Sequence, residues 1–313
     1  MKFSVAIPAF RPRFFREAVE SVLAQSYADW ELVIVDDASP DDLRSIAEPF
    51  LADDRVRFYC NEANFGAVNV VDNWNRCLEY CTGDYIICMG DDDRLLPNCL
   101  SDLCRLINAH PGLGVYHIQT QIIDHSGNVL SSLPPRPETE TALDMLERRW
   151  CKGGLQFIGD FCFEIERLLS SGGFYKTPLA WGADDITVFS AAADGIANTA
   201  EAGFQYRSNE SSISSGSDYM LKYTAMMSVA GWFDAALSDY TASAAEEGQL
   251  NMLRRHLRPY YARQCSYYVV SDIGRNLSSF KKWYRDRQMF GLSLPRLLFL
   301  TAKSLAFRFL GRV

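Results

Sequence analysis

The first ninety residues alternate between two hydrophobic periods. FSVAIPAF (3–10), WELVIVDDAS (30–39) and DYIICMG (84–90) are short apolar runs of the kind that form strands buried on both faces, and RVRFYC (55–60) alternates like a strand. Between them the apolar positions fall at helical spacing. FFREAVESVLAQS (14–26) places Phe15, Val19, Val22 and Leu23 on one side, DDLRSIAEPFLA (41–52) opens on acids suited to an N-cap, and VVDNWNRCLEYC (70–81) stops before Gly83. Strand and helix in turn predict a parallel α/β sheet with helices on its faces. Past residue 100 the pattern changes. Residues 114–132 read as a hairpin turning at Ser126–Gly127, 141–150 as a short helix, 155–165 as a strand, and 184–195 as a helix opening on two acids. A polar stretch, 208–218, reads as a mobile loop or linker. Beyond it the chain reads as wholly helical, over 218–237, 244–270, 272–288 and 293–311.

Two of the predicted strands end in carboxylates, at Asp36–Asp37 and Asp91–Asp92–Asp93. In open α/β sheets ligands bind outside the carboxyl ends of the strands. Carboxylates a few ångström apart repel, and one tends to take up a proton unless a cation offsets the charge. A hard divalent ion such as Mg²⁺ or Mn²⁺ takes oxygen ligands and usually keeps substrate phosphates in its shell. The cluster therefore reads either as a metal–diphosphate site or as solvated turn and N-cap residues. No G-x-x-x-x-G-K-[ST] is present and no G-x-G-x-x-G follows a strand, which argues against P-loop and dinucleotide folds.

Composition narrows the class. A chain of 313 residues with 48% hydrophobic content buries a large core and fits one large domain with an appendage, or two domains. A net charge of -8 argues against a nucleic-acid partner. The nine cysteines contain no C-x-x-C pair and the four histidines no ligand spacing, which argues against disulfides and zinc and for a reducing compartment. The apolar run at the N-terminus is too short for a signal peptide, and no stretch of about eighteen apolar residues is present, so the predicted location is the cytoplasm.

Four segments taken together carry a resemblance. They are SVAIPAFRPRFFREAVESVLAQSYADWELVIVDDASPDD, then NFGA…NWNRCLEYCTGDYIICMGDDDRLLP, then SGGFYKTPLAWGADDITVF, then YRSNESSISS. In this order, over about residues 3–214, the chain resembles the family 2 glycosyltransferases of GT-A fold. The resemblance implies a Rossmann-like, mostly parallel sheet with helices on both faces, a GT-A domain over 1–215, and an all-helical extension over 216–313. It implies inverting transfer of a sugar from a UDP- or dTDP-linked donor to a saccharide acceptor, with Mn²⁺ or Mg²⁺ as cofactor. Pro8 and Phe10 match positions lining the base pocket. Asp37 matches the aspartate that accepts from the N3–H of a uracil-like base. Asn64, Gly66 and Asn75 match a stretch running past the nucleotide, with turn-making and helix capping as the alternative. Asp91 would lie near the ribose, and Asp92 would bind the metal. GDDD departs from the family's common D-A-D-D, with Gly90 in the first acidic slot. From GADD, Asp185 matches the base that deprotonates the acceptor, with Asp184 its neighbour. Arg207 would lie near the donor diphosphate, and Asn209 stands where the family often has a histidine. Trp181 is a candidate sugar-stacking platform or a packing residue.

The last segment, 294–313, divides unevenly into a basic half with Arg296, Lys303, Arg308 and Arg312 and an apolar half with Leu298, Phe299, Leu305, Phe309 and Leu310, while Leu297, Leu300 and Phe307 fall on the basic side. This reads as an interfacial anchor on anionic lipid, or as a helix packed on the body or at a homodimer contact. A lipid surface would suit a polyprenyl-diphosphate-linked acceptor on the inner face of the cytoplasmic membrane. A different class of reading is an inactive nucleotide-sugar-binding or scaffolding subunit.

Overall fold

The structure is a computed structural model that describes residues 1–208 and 218–309. Its strands are β1 (Phe3–Ala9), β2 (Trp30–Asp36), β3 (Val56–Cys60), β4 (Tyr85–Cys88), β5 (Arg94–Leu95), β6 (Val115–Ile123), β7 (Val129–Ser132), β8 (Thr139–Glu140), β9 (Phe161–Glu164) and β10 (Ile196–Arg207). They join one sheet in the order β3-β2-β1-β4-β9-β6-β10-β5, with β7 on β6 and β8 on β10. The first four are parallel neighbours, β9 enters antiparallel between β4 and β6, and β6 and β10 are again parallel.

The helices of this part are α1 (Phe15–Leu23), α2 (Leu43–Ala47), α3 (Val70–Tyr80), α4 (Cys99–Ala109), α5 (Ala142–Cys151), α6 (Ile165–Ser170) and α7 (Ala183–Ala191). Alternate residues of a strand face opposite sides. Phe3, Val5, Ile7 and Ala9 of β1 and Leu32 and Ile34 of β2 share one core with the buried faces of α1, α2 and α4. The other side of β1 and β2 takes α3, through Val71, Cys77 and Leu78. These are the layers that the alternating pattern predicts. The predicted hairpin forms as β6 and β7 about Gly127, and α5 opens on a Thr141–Asp144 capping box.

Several elements differ from expectation, among them the short β5, β8 and α6, which were not expected. The strand expected at 155–165 is Phe161–Glu164 alone, because Ile158–Asp160 is a 3-10 turn where a Cβ on Gly159 would meet the Phe204 ring at 2.5 Å. The twelve-residue β10, IANTAEAGFQYR, is rich in Ala and Gly, which lack strand preference, and it is bent by register shifts between Asn198 and Phe204. Helix α4 was not expected, although Cys99, Leu100, Leu103 and Ile107 bury at helical spacing.

One compact unit comprises Met1–Lys176 and the chain from Ala183 through β10. The other comprises Thr177–Gly182 with α8 (Tyr219–Asp239), α9 (Glu247–Arg275), α10 (Ser279–Asp286) and α11 (Leu294–Phe309). Within it, α8 and α11 both pack on α9, which runs unbroken past Pro259. The Trp283 indole is buried and donates to Asp272 Oδ2 at 2.7 Å, and Tyr223 OH donates to the Phe290 carbonyl at 2.7 Å. Among the described residues no helix is long and apolar enough to cross a membrane. The expected loop at 208–218 lies, from 209 to 217, outside the described residues, as does Asn209.

Candidate active site

Strand register places the acids. Along β1 and β2, Phe3 faces Trp30 and Ala9 faces Asp36, so both strands end level. Cys88 of β4 faces Ala6, and the chain leaves β4 at the same edge. Asp91 therefore arrives beside the residues that follow β1. Its buried Oδ2 accepts from Phe10 N–H and from Arg11 N–H, both at 2.7 Å. Burial, with the Asp92 charge, pushes Asp91 up to about 6 against the pull of those two bonds. Phe10 is left 37% exposed at the mouth of the edge, and Pro8 is half-buried within β1. Ser39 Oγ donates to the Phe10 carbonyl at 2.7 Å and fastens this segment to the end of β2.

The two acids ending β2 divide their work. Asp36 accepts from Ser39 N–H at 2.8 Å and makes the turn, with Ala38 at φ 49°. Asp37 gathers the loop after β3, accepting from Asn61 Nδ2 at 2.9 Å, Phe65 N–H at 3.0 Å and Gly66 N–H at 3.3 Å. Asn64 Oδ1 also accepts from Gly66 N–H, and Gly66 sits at φ 77°, a conformation open to glycine. Asn64 and Gly66 thus shape a turn that Asp37 holds. Asn73, which the sequence did not single out, is buried beneath it and accepts from Asn61 Nδ2 at 2.9 Å.

The acidic loop is tied to the far side of the sheet by Arg207. Arg207 N–H donates to Asp93 Oδ1 at 2.8 Å, and its Nε donates to the Asp92 carbonyl at 2.7 Å. Its other nitrogens reach the Asp124 and His125 carbonyls and Glu17 Oε2, and the guanidinium lies 4.1 Å from the Phe14 ring centre. The side chain is fully buried. Arg207, expected near the donor diphosphate, is enclosed and bonded in this way as a strut behind the acidic loop. Asp93, buried against it, is pushed well up by burial and by the Asp92 charge. Asp92 remains half-buried at the loop's edge, its Oδ1 folded back over Gly90.

Among the described residues no three His, Cys, Asp or Glu side chains gather closely enough to cage an ion. The donor set instead fits an Mg²⁺-like ion that takes one or two carboxylates and fills its shell with substrate phosphate and water. Asp92 is the residue that would hold it.

The second acid pair reaches the same edge by topology. Helix α7 feeds β10 through a short turn at 192–195, so it runs back along the sheet and its first turn lies at the carboxyl edge of the parallel strands. Asp185, expected to face the acceptor, is instead 1% exposed. Arg149 Nε and Nη2 clamp its two oxygens at 2.8 and 3.1 Å, and Gln156 Nε2 donates to Oδ1 at 2.7 Å. Asp184 is the half-buried member. Burial and the Asp185 charge push it up to about 7. Asp160 stands nearby in the turn before β9, fully buried, and burial pushes it up to about 8, with the Asp184 charge adding to the rise. Asp184, the half-buried one of the two, has a carboxyl held near neutrality, as suits exchange of a proton with a bound hydroxyl.

The Glycosyl transferase family 2 model matches residues 4–164, just over half of the chain. The chain belongs to glycosyl transferase family 2. It is 30% identical over 131 residues to the GalNAc(5)-diNAcBac-PP-undecaprenol beta-1,3-glucosyltransferase of Campylobacter jejuni, a match covering 41% of this chain and 40% of that one. It is 33% identical over 128 residues to EpsE of Bacillus subtilis, covering 39% of this chain and 45% of EpsE. The chain thus spans less than half the length of these relatives. Among solved structures, S. aureus TarS 1-349 in complex with UDP-GlcNAc superposes with a TM-score of 0.68 at 17% identity, covering 100% of this chain and 93% of that one. The mannosyltransferase PcManGT of Pyrobaculum calidifontis, in complex with GDP-Man and Mn²⁺, gives 0.56 at 15% identity, covering 99% and 86%. The fold is GT-A.

In this family 2 chain two further residues of the expected site, Asn75 and Trp181, bond to the protein itself. Asn75, matched to the stretch running past the nucleotide, bonds the Phe174 main chain. Its Nδ2 donates to the Phe174 carbonyl and its Oδ1 accepts from Phe174 N–H, both at 2.9 Å, so it pins α3 to the turn after Gly173. Trp181, offered as a stacking platform, donates through Nε1 to Tyr268 OH, and Lys222 Nζ lies 4.4 Å from its ring. Its ring is engaged in the helical unit. Arg149, Gln156 and Asp160 were not singled out in the sequence, since nothing in their local pattern distinguishes them from surface residues of a short helix and loop.

Proposed function

We propose that this chain is an inverting glycosyltransferase of surface-polysaccharide assembly. It would move a sugar from a UDP- or dTDP-linked donor to a saccharide acceptor carried on a polyprenyl diphosphate, with Mn²⁺ or Mg²⁺ bound through Asp92. The observation that carries this reading is one sheet edge on which a family 2 chain assembles three acidic elements: Asp37 at the end of β2, the Asp91–Asp93 loop, and the Asp184–Asp185 pair. The glucosyltransferase activity in the name of the Campylobacter relative and the nucleotide-sugar complexes of the two solved structures support it.

The chemistry follows from these groups. Asp37 is an acceptor and suits the imide N–H of uracil or thymine, while it already holds the loop that would flank the base. Asp91 fixes the Phe10 and Arg11 main chain, so the base-lining segment and the acidic loop move together. A divalent ion at Asp92 would supply positive charge to a diphosphate leaving group. The acceptor hydroxyl attacks the anomeric carbon opposite the diphosphate and its proton passes to the Asp184–Asp185 pair. The bond from that carbon to the diphosphate oxygen breaks, and the electron pair leaves on the diphosphate. Arg149 and Gln156 orient Asp185, and its charge keeps Asp184 basic enough to take the proton. An acceptor on a membrane-borne carrier would bring the protein to the inner face of the cytoplasmic membrane.

The test is a thermal-shift titration with UDP and with dTDP, each with and without Mn²⁺, on wild type and Asp92→Asn. Ligand binding to the native state raises Tm by mass action. The expected result is a Mn²⁺-dependent rise with at least one nucleotide that Asp92→Asn abolishes. No rise with either nucleotide overturns the donor-site assignment.

A further inference from the structure

The sequence divides α11 into two uneven halves, and the structure resolves the unevenness into three faces. Leu297, Leu300 and Ser304 are buried, with Phe307 half-buried beside them. Ser304 Oγ donates to the Val270 carbonyl at 2.8 Å and Arg296 Nη2 to Ser266 Oγ at 2.9 Å, so this face lies on α9. The apolar residues that broke the basic half are therefore the ones that pack.

Among the described residues the outward apolar face has no partner. Leu294, Leu298, Phe299, Leu305 and Phe309 are exposed, Phe299 by 59% and Phe309 by 92%, with Ala302 and Ala306 exposed between them. At 3.6 residues per turn these seven positions span about 140° of the helix. Arg308 falls at one border of that wedge and Lys303 and Arg296 at the other, between the outward apolar face and the buried one. The helix holds no acid, in a chain whose net charge is -8. The segment leading into it also leaves Tyr284 and Met289 exposed and carries Lys281, Lys282, Arg285 and Arg287.

We infer that the outward face of α11 is a docking surface for an anionic lipid bilayer, its apolar wedge entering the acyl boundary and its border bases lying at the headgroups. A wedge flanked on both sides by long cationic side chains suits an interface, where the stems cover apolar surface and the charges stay in water. A second copy of the same face would fit poorly, because two-fold pairing would set border bases against border bases with no acid between them. The inference deepens the proposed acceptor reading, but vesicle binding is measured without donor or acceptor, so the two can fail separately.

The experiment is sedimentation of the chain with vesicles of phosphatidylcholine alone and of phosphatidylcholine with phosphatidylglycerol, alongside light scattering. The variants are Leu298→Asp/Leu305→Asp and Lys303→Gln/Arg308→Gln, all at exposed positions, with Tm as the folding control. Wild type should bind the anionic vesicles and release in high salt. The double Asp variant should lose more than ten-fold in partition, and each neutralised base should cost roughly five-fold. Absence of binding to the anionic vesicles overturns the inference. So does equal binding to both vesicle types, or a wild-type dimer that the double Asp variant dissolves.

Discussion

The two ends of the parallel sheet bury the same kind of residue to opposite effect. At the amino end, Glu31 of β2 is 4% exposed and surrounded by donors: Lys2 Nζ at 2.7 Å, Arg57 Nη2 at 2.8 Å, Ser4 Oγ at 2.7 Å, and Thr82 through both its hydroxyl and its N–H. Burial alone would raise its carboxyl. The bonds from Lys2, Thr82 and Ser4 outweigh burial and bring it down to about 2. At the carboxyl end, Asp160 and Asp184 are pushed up to about 8 and about 7, because burial there is joined by like charge. The difference lies in the donors and not in depth. Glu31 closes a seam between β1, β2, β3 and the β4 approach, and its charge is fully compensated. At the other edge Asp185 takes the Arg149 clamp, and the charges of Arg149 and Arg136 do not offset the rise at Asp184 and Asp160. In physical terms one end stores stability and the other stores reactivity.

The largest effect that would break this contrast is on turnover. Asp184→Asn should lower kcat by roughly 10²–10⁴, with the loss of any basic limb near pH 7 in the rate profile. Asp185→Asn should keep a limb but move it to lower pH, since the neighbouring charge that raises Asp184 is gone. A pH–rate profile on both variants checks this. If Asp184→Asn keeps full activity, the carboxyl edge is not tuned as argued.

Stability gives the next effect. Glu31→Ala should cost about 3 kcal/mol, since Lys2 and Arg57 lose a buried partner, and Tm should fall by roughly 10 °C with nucleotide affinity unchanged. The pH dependences run in opposite senses. Glu31 has its folded value below the ordinary 4.5, so its contribution is full above 4.5 and fades as pH falls toward about 2. Asp160 has its folded value above the ordinary 3.8, so its contribution is full below 3.8 and fades as pH rises through about 8. Melting curves from pH 3 to 9 should therefore show Asp160→Asn flattening the alkaline side and Glu31→Ala flattening the acid side. The same limb responding to both would show that the two ends are not independent.

How much of this was readable beforehand follows the same division. Strands β1, β2 and β4 were legible because a parallel sheet buried on both faces writes continuous apolar runs, and their terminal acids were conspicuous against that background. Their partners were not. Arg149 and Gln156 meet Asp185 across 36 and 29 residues, and Asn75 meets Phe174 across 99, distances that no local pattern encodes. Resemblance put Asn75 and Arg207 near a ligand by position in a motif, whereas both spend their side-chain donors within the protein, Asn75 on the Phe174 carbonyl and Arg207 on the Asp92 carbonyl and Glu17 among others. Strand β10 was missed because its Ala and Gly residues hide it. Gly203 is small where β6 and α4 press close, for a Cβ there would lie 2.7 Å from Ile118 and 3.3 Å from Cys99.

The smallest effect concerns Gly90, which holds the slot where the family commonly has an acid. A Cβ there would lie 2.8 Å from Asp92 Oδ1 and 3.0 Å from Asp93 Oδ2. Both contacts are the far ends of side chains, and the Gly90 backbone is not in the left-handed region, so the chain tolerates a substitution by moving carboxylates. Gly90→Ala should therefore cost about 1 kcal/mol or less in the absence of ligand. Its consequence should appear on binding, because the Asp92 carboxylate that folds over Gly90 would be displaced toward solvent. Titrating Mn²⁺ against nucleotide-saturated protein reads this directly, as a change in metal affinity of a few-fold with little change in unliganded Tm. A large drop in Tm with unchanged metal affinity would mean that Gly90 serves the fold, and that the acidic loop belongs with Glu31 on the stability side of the sheet.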